Sequence, residues 1–135
     1  YKIVDKVSEE AVKKLPEFEP QQLVNMMWAY GTLKVNNKPV IDDVCWAMSD
    51  RLSELSSLGV SNLSWAVAKL TLRNRWLTEQ LSHACITNVE SMNGQNLANA
   101  CWAFATLRVA DTPFFDAVAT AMIAKSADYA QQNLS

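Results

Sequence analysis

The stretch NMMWAYGTL, residues 25–33, decides the fold because it returns twice along the chain. Close versions of it are NLSWAVAKL at 62–70 and NACWAFATL at 99–107. The phrase places a tryptophan every 37 residues, at Trp28, Trp65 and Trp102. Internal periods of roughly 20 to 50 residues are typical of repeats that stack on one another. The sequence therefore predicts an all-α fold, an α-solenoid of stacked antiparallel helical hairpins with a 37-residue repeat.

Composition supports a helical chain. Half of the 135 residues are apolar, 19% are charged, and only three glycines and four prolines occur, which leaves little material for many tight turns. The net charge is −2 and the isoelectric point is about 5.3. These values exclude binding of nucleic acid mainly by bulk electrostatics, although they leave room for a local basic strip.

Each repeat is predicted to hold two helices. Helix A covers about residues 20–34, 57–71 and 94–108. Helix B, whose apolar residues recur at helical spacing, covers about residues 39–55, 76–91 and 113–129. Pro39 and Pro113 stand at the first turn of helix B, where a missing N–H costs nothing.

The repeat divides the chain into a single segment, residues 1–135, that resembles an excerpt from a longer array. Residues 1–18 correspond to helix B of a preceding repeat, because Ile3, Val7, Ala11 and Leu15 fall on its apolar positions. Three full repeats follow at 19–55, 56–92 and 93–129, and residues 130–135 correspond to the start of a further repeat.

Helix A carries a narrow stripe with a tryptophan, an asparagine and variable polar residues. The small residues beside it, such as Ala29 and Gly31, would let neighbouring A helices approach closely. Two interpretations of the stripe remain open. Its tryptophans and asparagines either pack as a ladder between repeats, or they face an extended ligand, because amides bond base edges and rings stack on unpaired bases.

The candidate RNA- or partner-binding residues come from this stripe and from the turns that follow helix A. The stripe candidates are Gln21, Gln22, Asn25, Thr32, Asn62, Lys69, Gln95, Asn96, Asn99 and Thr106. The turn candidates are Lys34, Arg73, Arg75 and Arg108. Cations at these sites either cap the helix C-termini or form a rim that binds phosphates.

No catalytic or metal-binding pattern is present in the sequence. Cys45, Cys85 and Cys101 lack metal-ligand spacing and are predicted to be buried thiols. His83 does not recur, and there is no glycine-rich phosphate loop. We therefore expect no enzyme activity, no metal, no cofactor and no small-molecule substrate. No apolar run approaches the ~20 residues of a membrane-spanning helix, so no membrane insertion is expected.

The phrase LVNMMWAYGTL, repeated as LANACWAFATL, resembles the octotricopeptide repeat of algal organelle proteins, and its period resembles the related heptatricopeptide repeat. This resemblance covers the whole chain, although Gly59 and Val60 depart from the pattern in the second repeat. It implies a helical-repeat protein of the mitochondrion or plastid that binds single-stranded RNA and acts in RNA stability, processing or translation. It equally allows a protein-interaction scaffold in a large organellar complex such as a ribosome.

Overall fold

The computed structural model describes residues 2–134, with side chains as far as residue 128, and all regular structure in this range is helical. The α-helices are α1 (Lys2–Val12), α2 (Pro20–Leu33), α3 (Lys38–Met48), α4 (Ser57–Lys69), α5 (Arg75–Asn88), α6 (Gly94–Thr106) and α7 (Thr112–Leu134). Short 3-10 helices at Leu15–Glu17, Leu52–Glu54 and Val89–Ser91 precede α2, α4 and α6. The prediction of an all-α chain is confirmed.

Corresponding helices begin 37 residues apart because the same capping chemistry recurs. The side chains of Asn37 and Asn74 accept hydrogen bonds from the third backbone N–H of α3 and α5. Asp111 Oδ1 accepts the equivalent bond from the Phe114 N–H in α7, at 3.0 Å. Such caps each contribute about 1 kcal/mol of helix stability. They start helix B one residue earlier than expected, at Lys38, Arg75 and Thr112.

The helices lie in two layers. The A layer consists of α2, α4 and α6, and α4 packs against both of its neighbours. The B layer consists of α1, α3, α5 and α7, in which α3 contacts α1 and α5 contacts α7. Each A helix also packs against the B helix that follows it. The hydrophobic core lies between the layers, where Met27, Leu63 and Leu97 of the A helices are fully buried.

Small residues allow the A helices to approach closely, as the sequence predicts. A Cβ added at Gly31 would lie 3.3 Å from both the Lys69 Cβ and a Trp65 ring carbon on α4. The equivalent Ala68 of α4 is buried, whereas the equivalent Ala105 is exposed. Among the described helices, only α4 has an A helix on each side, so its small residues are covered on both flanks.

Two of the B helices are shorter than predicted, whereas α7 (Thr112–Leu134) extends beyond the predicted end near residue 129. α3 ends at Met48 rather than near residue 55, and α5 ends at Asn88 rather than 91. Polar side chains bond the final carbonyls: Ser49 Oγ donates to the Trp46 carbonyl at 2.8 Å, and Asn88 Nδ2 donates to the Ala84 carbonyl at 2.8 Å. A 3-10 turn then reverses the chain toward the next A helix.

The first helix differs from its counterparts in burial. Ala11 and Leu15 are buried as expected, but Ile3 and Val7 are exposed, because no A helix covers this end of α1 in the described part of the chain. At the other end, α7 continues to Leu134. The assignment of residues 130–135 to a further repeat involves side chains outside the described residues and stays a prediction.

Candidate nucleic-acid interface

The exposed side of the A layer, here called the A surface, carries most of the predicted stripe residues. Gln21, Asn25 and Thr32 on α2 are exposed, and their counterparts Gln95 and Thr106 on α6 are exposed too. Asn62 and Asn99 are half-buried, whereas Lys69 is exposed. Because each helix turns by about 100° per residue, residues that are three or four positions apart lie on the same side of the helix.

The tryptophans form a row along the A surface. Trp28 and Trp102 are 45% and 43% exposed, and Trp65 between them is half-buried. The Trp28 and Trp65 rings stack with centroids 5.9 Å apart. The Lys69 ammonium lies 5.5 Å from the Trp65 centroid and 5.7 Å from the Trp102 centroid. The Trp28–Trp65 stack joins two successive repeats, as the packing interpretation predicts, while the exposed parts of the Trp28 and Trp102 rings offer area to a ligand, so both interpretations of the stripe stay open.

The asparagines do not form a ladder that joins the repeats. The Asn25 Oδ1 accepts a hydrogen bond from Gln21 Nε2, and the Asn99 Oδ1 accepts one from Gln95 Nε2, each at 3.0 Å within one helix. Because Gln21 and Gln95 are exposed, the Oδ1 atoms of Asn25 and Asn99 to which they bond remain within reach of a ligand. Each glutamine–asparagine pair presents amide donors and acceptors beside a tryptophan ring.

Two predicted binding residues are used for helix capping instead. Asn96 is buried and exchanges hydrogen bonds with Asn93, so its side chain does not lie on the A surface. The Gln22 side chain accepts a hydrogen bond from the Glu19 N–H at 2.9 Å. Both residues close a capping box at the start of an A helix, which the sequence spacing alone did not separate from the neighbouring stripe.

Cations lie at strained backbone positions after the A helices. Lys34 and Arg108 have φ values of 55° and 57°, and Thr71 at the equivalent place has 53°. This left-handed conformation favours glycine and is costly for other residues. Two charged residues at such sites, next to the negative end of a helix dipole, form an exposed basic rim. In the middle repeat Lys69 supplies the corresponding charge.

The remaining basic candidates have mixed surroundings. Arg75 forms an exposed ion pair with Glu79 at 2.8 Å. Arg73 is exposed and lines two clefts between successive A–B turns, one of which also contains Asp111. Arg73 is therefore the better placed of the two to contact a phosphate.

The cysteines are free thiols. Cys45 and Cys85 are buried as predicted, and Cys101 is half-buried. Burial raises the pKa of Cys85 to about 12 despite a hydrogen bond with Ser64, and raises the pKa of Cys45 to about 11. Burial also raises the pKa of Cys101. Within the described residues no cluster of three or more His, Cys, Asp or Glu side chains suits a metal ion.

A second surface feature, here called the B groove, was missed by the sequence reasoning. It lies between α3 and α5 and is lined by Cys45, Trp46, Ser49, Asn74, Trp76 and Leu77. Trp46 is 81% exposed and Trp76 is 45% exposed. The available signal was that neither tryptophan recurs at the repeat spacing: the positions equivalent to Trp46 hold His83 and Thr120.

The described part of the chain is an all-helical domain with exposed tryptophans on two surfaces. Comparison of the chain with protein-family models, with curated proteins and with solved structures gave no match. No helix in the described range has both the length and the apolar character needed to cross a bilayer.

Proposed function

We propose that this chain is a segment of a non-catalytic α-solenoid that binds single-stranded RNA along the A surface. The recurrence of helix starts, caps and left-handed turns at 37 residues supports the solenoid. The resemblance to octotricopeptide and heptatricopeptide proteins supports a role in RNA stability, processing or translation in a mitochondrion or plastid.

One observation carries the proposal: an exposed row of tryptophans runs beside paired amides, with cations at its edge. Aromatic rings stack on unpaired bases, amides bond base edges, and cations hold phosphates. Trp28 and Trp102, on the A helices at the two ends of the described layer, each leave more than two fifths of their surface in solvent, and this is ring area on which a base can stack.

The spacing of the rings favours a particular place for a base. Insertion of a base between two rings requires about 6.8 Å, twice the ~3.4 Å rise between stacked bases. Trp28 and Trp65 are 5.9 Å apart and already in contact, so no base enters between them. Between Trp65 and Trp102 the Lys69 ammonium occupies the space. A base would stack on Trp102 as Lys69 moves to a phosphate.

The basic rim reconciles this function with a net charge of −2. Lys34 and Arg108 occupy equivalent positions just past an A helix in the first and third repeats, where the middle repeat has Thr71. The cation of the middle repeat, Lys69, lies two residues before Thr71, beside the Trp65 and Trp102 rings, so the three cations lie along the edge of the A surface without occupying one repeat position. A backbone of regularly spaced phosphates matches such a row of cations.

The experiment is a binding titration of a fluorescently labelled, unstructured RNA oligonucleotide. We expect the double variant Asn62→Ala/Asn99→Ala to bind about tenfold more weakly, while its helical melting curve barely moves. Gln80→Ala, an exposed amide on the B layer, is the matched control and should bind RNA as the parent does. If the double variant melts at a clearly lower temperature as well as binding RNA more weakly, these asparagines act in packing, and their proposed role in RNA binding is overturned.

A second candidate function, a protein-interaction scaffold in a large organellar complex such as a ribosome, is favoured by the exposed tryptophans of the B groove. The salt dependence of binding to the A surface separates the two functions. RNA binding releases counterions and weakens steeply with salt, whereas an apolar protein interface does not.

A further inference from the structure

The tryptophans of the B groove are not explained by the packing of repeats. Trp46 lies four-fifths in solvent and lines the same groove as the exposed Trp76, and adjoining exposed apolar side chains of this kind mark interaction sites. The repeat positions equivalent to Trp76 hold Pro39 and Pro113, and those equivalent to Trp46 hold His83 and Thr120. A residue needed by the array would occur in every repeat, so this pair belongs to one site only.

The floor of the B groove is apolar, and its polar groups include hydrogen-bond donors from both tryptophans and from Asn74. Leu77 and Cys45 are buried at its base. The Asn74 Oδ1 accepts the Leu77 N–H at 3.0 Å, and the amide hydrogens of Asn74 are donors for a ligand. Ser49 Oγ donates its hydrogen to the Trp46 carbonyl and is therefore an acceptor in this groove. The indole N–H groups of Trp46 and Trp76 are also donors without acceptor capacity. A fitting ligand therefore supplies carbonyl acceptors for these donors and apolar rings for the tryptophans.

The rim of the groove beside Trp46 is acidic. Asp42 and Asp43 are exposed and precede Trp46 by four and three residues, which places them beside its ring on the surface of α3, and the exposed Asp50 lies in the turn that follows α3. Asp42 is ion-paired with Lys38. The carboxylates repel phosphates, so RNA does not suit this groove. They also oppose a symmetric contact with a second copy, which would bring the same carboxylates together.

We propose that the B groove binds a proline-rich protein segment that carries arginine or lysine. A polyproline II helix presents free carbonyls, lacks N–H groups at its prolines, and packs its rings against aromatic side chains. The basic residues of the segment pair with Asp43 and Asp50. The site lies on the layer opposite the A surface, so the chain would hold a protein partner and its RNA at the same time.

The test uses a blocked oligoproline peptide with an arginine at each end, titrated into the chain and followed by calorimetry. We expect saturable binding that Trp46→Ala weakens at least about tenfold, as for an aromatic anchor. Trp28→Ala, on the A surface, is the matched control and should leave peptide binding unchanged. Because Trp46 packs on little of the protein, Trp46→Ala keeps the parent's melting temperature.

Charge is tested with shape held constant. The double variant Asp43→Asn/Asp50→Asn should bind the arginine-ended peptide several-fold more weakly and bind an uncharged oligoproline as the parent does. The parent should bind a glutamate-ended peptide more weakly than the arginine-ended one. No saturable binding, or equal binding by Trp46→Ala, overturns the proposal. It is equally overturned if Trp46→Ala removes RNA binding instead, or if it removes a concentration-dependent self-association seen in sedimentation.

Discussion

The two exposed surfaces of this molecule use tryptophan differently. On the A surface Trp28, Trp65 and Trp102 recur at the repeat spacing, and the first two stack on each other. On the B layer Trp46 and Trp76 do not recur, and both line a groove between two helices. The recurring tryptophans lie at the contacts between A helices, and in our proposal they also face the RNA. The isolated pair is free of that constraint.

The layers also differ in how they hold together. In the A layer neighbouring helices touch directly, with a glycine or alanine at the contact. In the B layer α1 contacts α3 and α5 contacts α7, but a groove lies between α3 and α5, where the 3-10 turn at Leu52–Glu54 packs on α5. We therefore expect the A layer to carry most of the sensitivity of the fold to substitution, and the B groove to tolerate change.

The largest effect is expected in the middle of the A layer. Leu63→Ala removes a fully buried side chain of α4 and should lower the free energy of unfolding by about 3 kcal/mol, through lost burial and the cavity left behind. Leu58→Ala on the same helix, where the side chain is 58% exposed, should change it by less than about 0.5 kcal/mol. Urea denaturation measures both, and equal losses would contradict the layered account.

Close approach of the A helices is tested next. Gly31→Leu places a side chain where even a Cβ would lie 3.3 Å from α4, and should cost about 2 kcal/mol by overpacking. Ala105→Leu occupies the same repeat position, but it is exposed on α6 and should be nearly neutral. Thermal denaturation compares the two variants. An unchanged melting temperature for Gly31→Leu would show that α2 and α4 separate easily.

The contact between the layers contains a thiol that makes stability depend on pH. The Cys85 thiol has a pKa of about 12 in the folded chain against an ordinary 9.0, because of burial. Above that ordinary value the unfolded chain loses a proton that the folded chain keeps, so stability falls as pH rises toward the folded pKa. The slope from this group is at most about 1.4 kcal/mol per pH unit.

The same pH dependence should be smaller in Cys85→Ala, whose free energy of unfolding is compared with that of the parent at about pH 8 and about pH 10. Parallel curves for the two proteins would mean that Cys85 does not hold its proton in the folded state.

The smallest effects distinguish the two sets of tryptophans. Trp28→Ala loses a stacked ring and should cost about 1 kcal/mol. Trp46→Ala should cost less than about 0.5 kcal/mol, because the ring is 81% exposed. Calorimetric melting compares the two, and a larger loss for Trp46→Ala would give that residue a packing role.

Much of the fold could be predicted from the sequence because residues that pack between neighbouring A helices recur at the same position of each repeat. The period of Trp28, Trp65 and Trp102 gave the starts of the A helices, which the structure places at Pro20, Ser57 and Gly94. The ends of the B helices could not be predicted. They depend on local bonds, such as Ser49 to the Trp46 carbonyl, that compete with continuation of the helix only in the folded chain.

The candidate site was less predictable, because neighbouring positions on one helix can cap, pack or face solvent. Asn96 and Asn99 looked alike in the sequence, yet Asn96 is buried in a capping box and Asn99 pairs with Gln95 on the surface. The B groove brings together Trp46 and Trp76, which lie 30 positions apart. Their failure to recur was visible in the sequence, but their proximity required the fold.

The central claim, that RNA lies along the A surface and not in the B groove, is tested most directly by fluorine NMR. The chain has five tryptophans, each of which gives one resonance when labelled with 5-fluorotryptophan and is assigned by a single Trp→Phe variant. On titration with an unstructured RNA oligonucleotide, we expect the Trp65 and Trp102 resonances to shift and those of Trp46 and Trp76 to stay in place. Shifts confined to Trp46 and Trp76 would contradict the account.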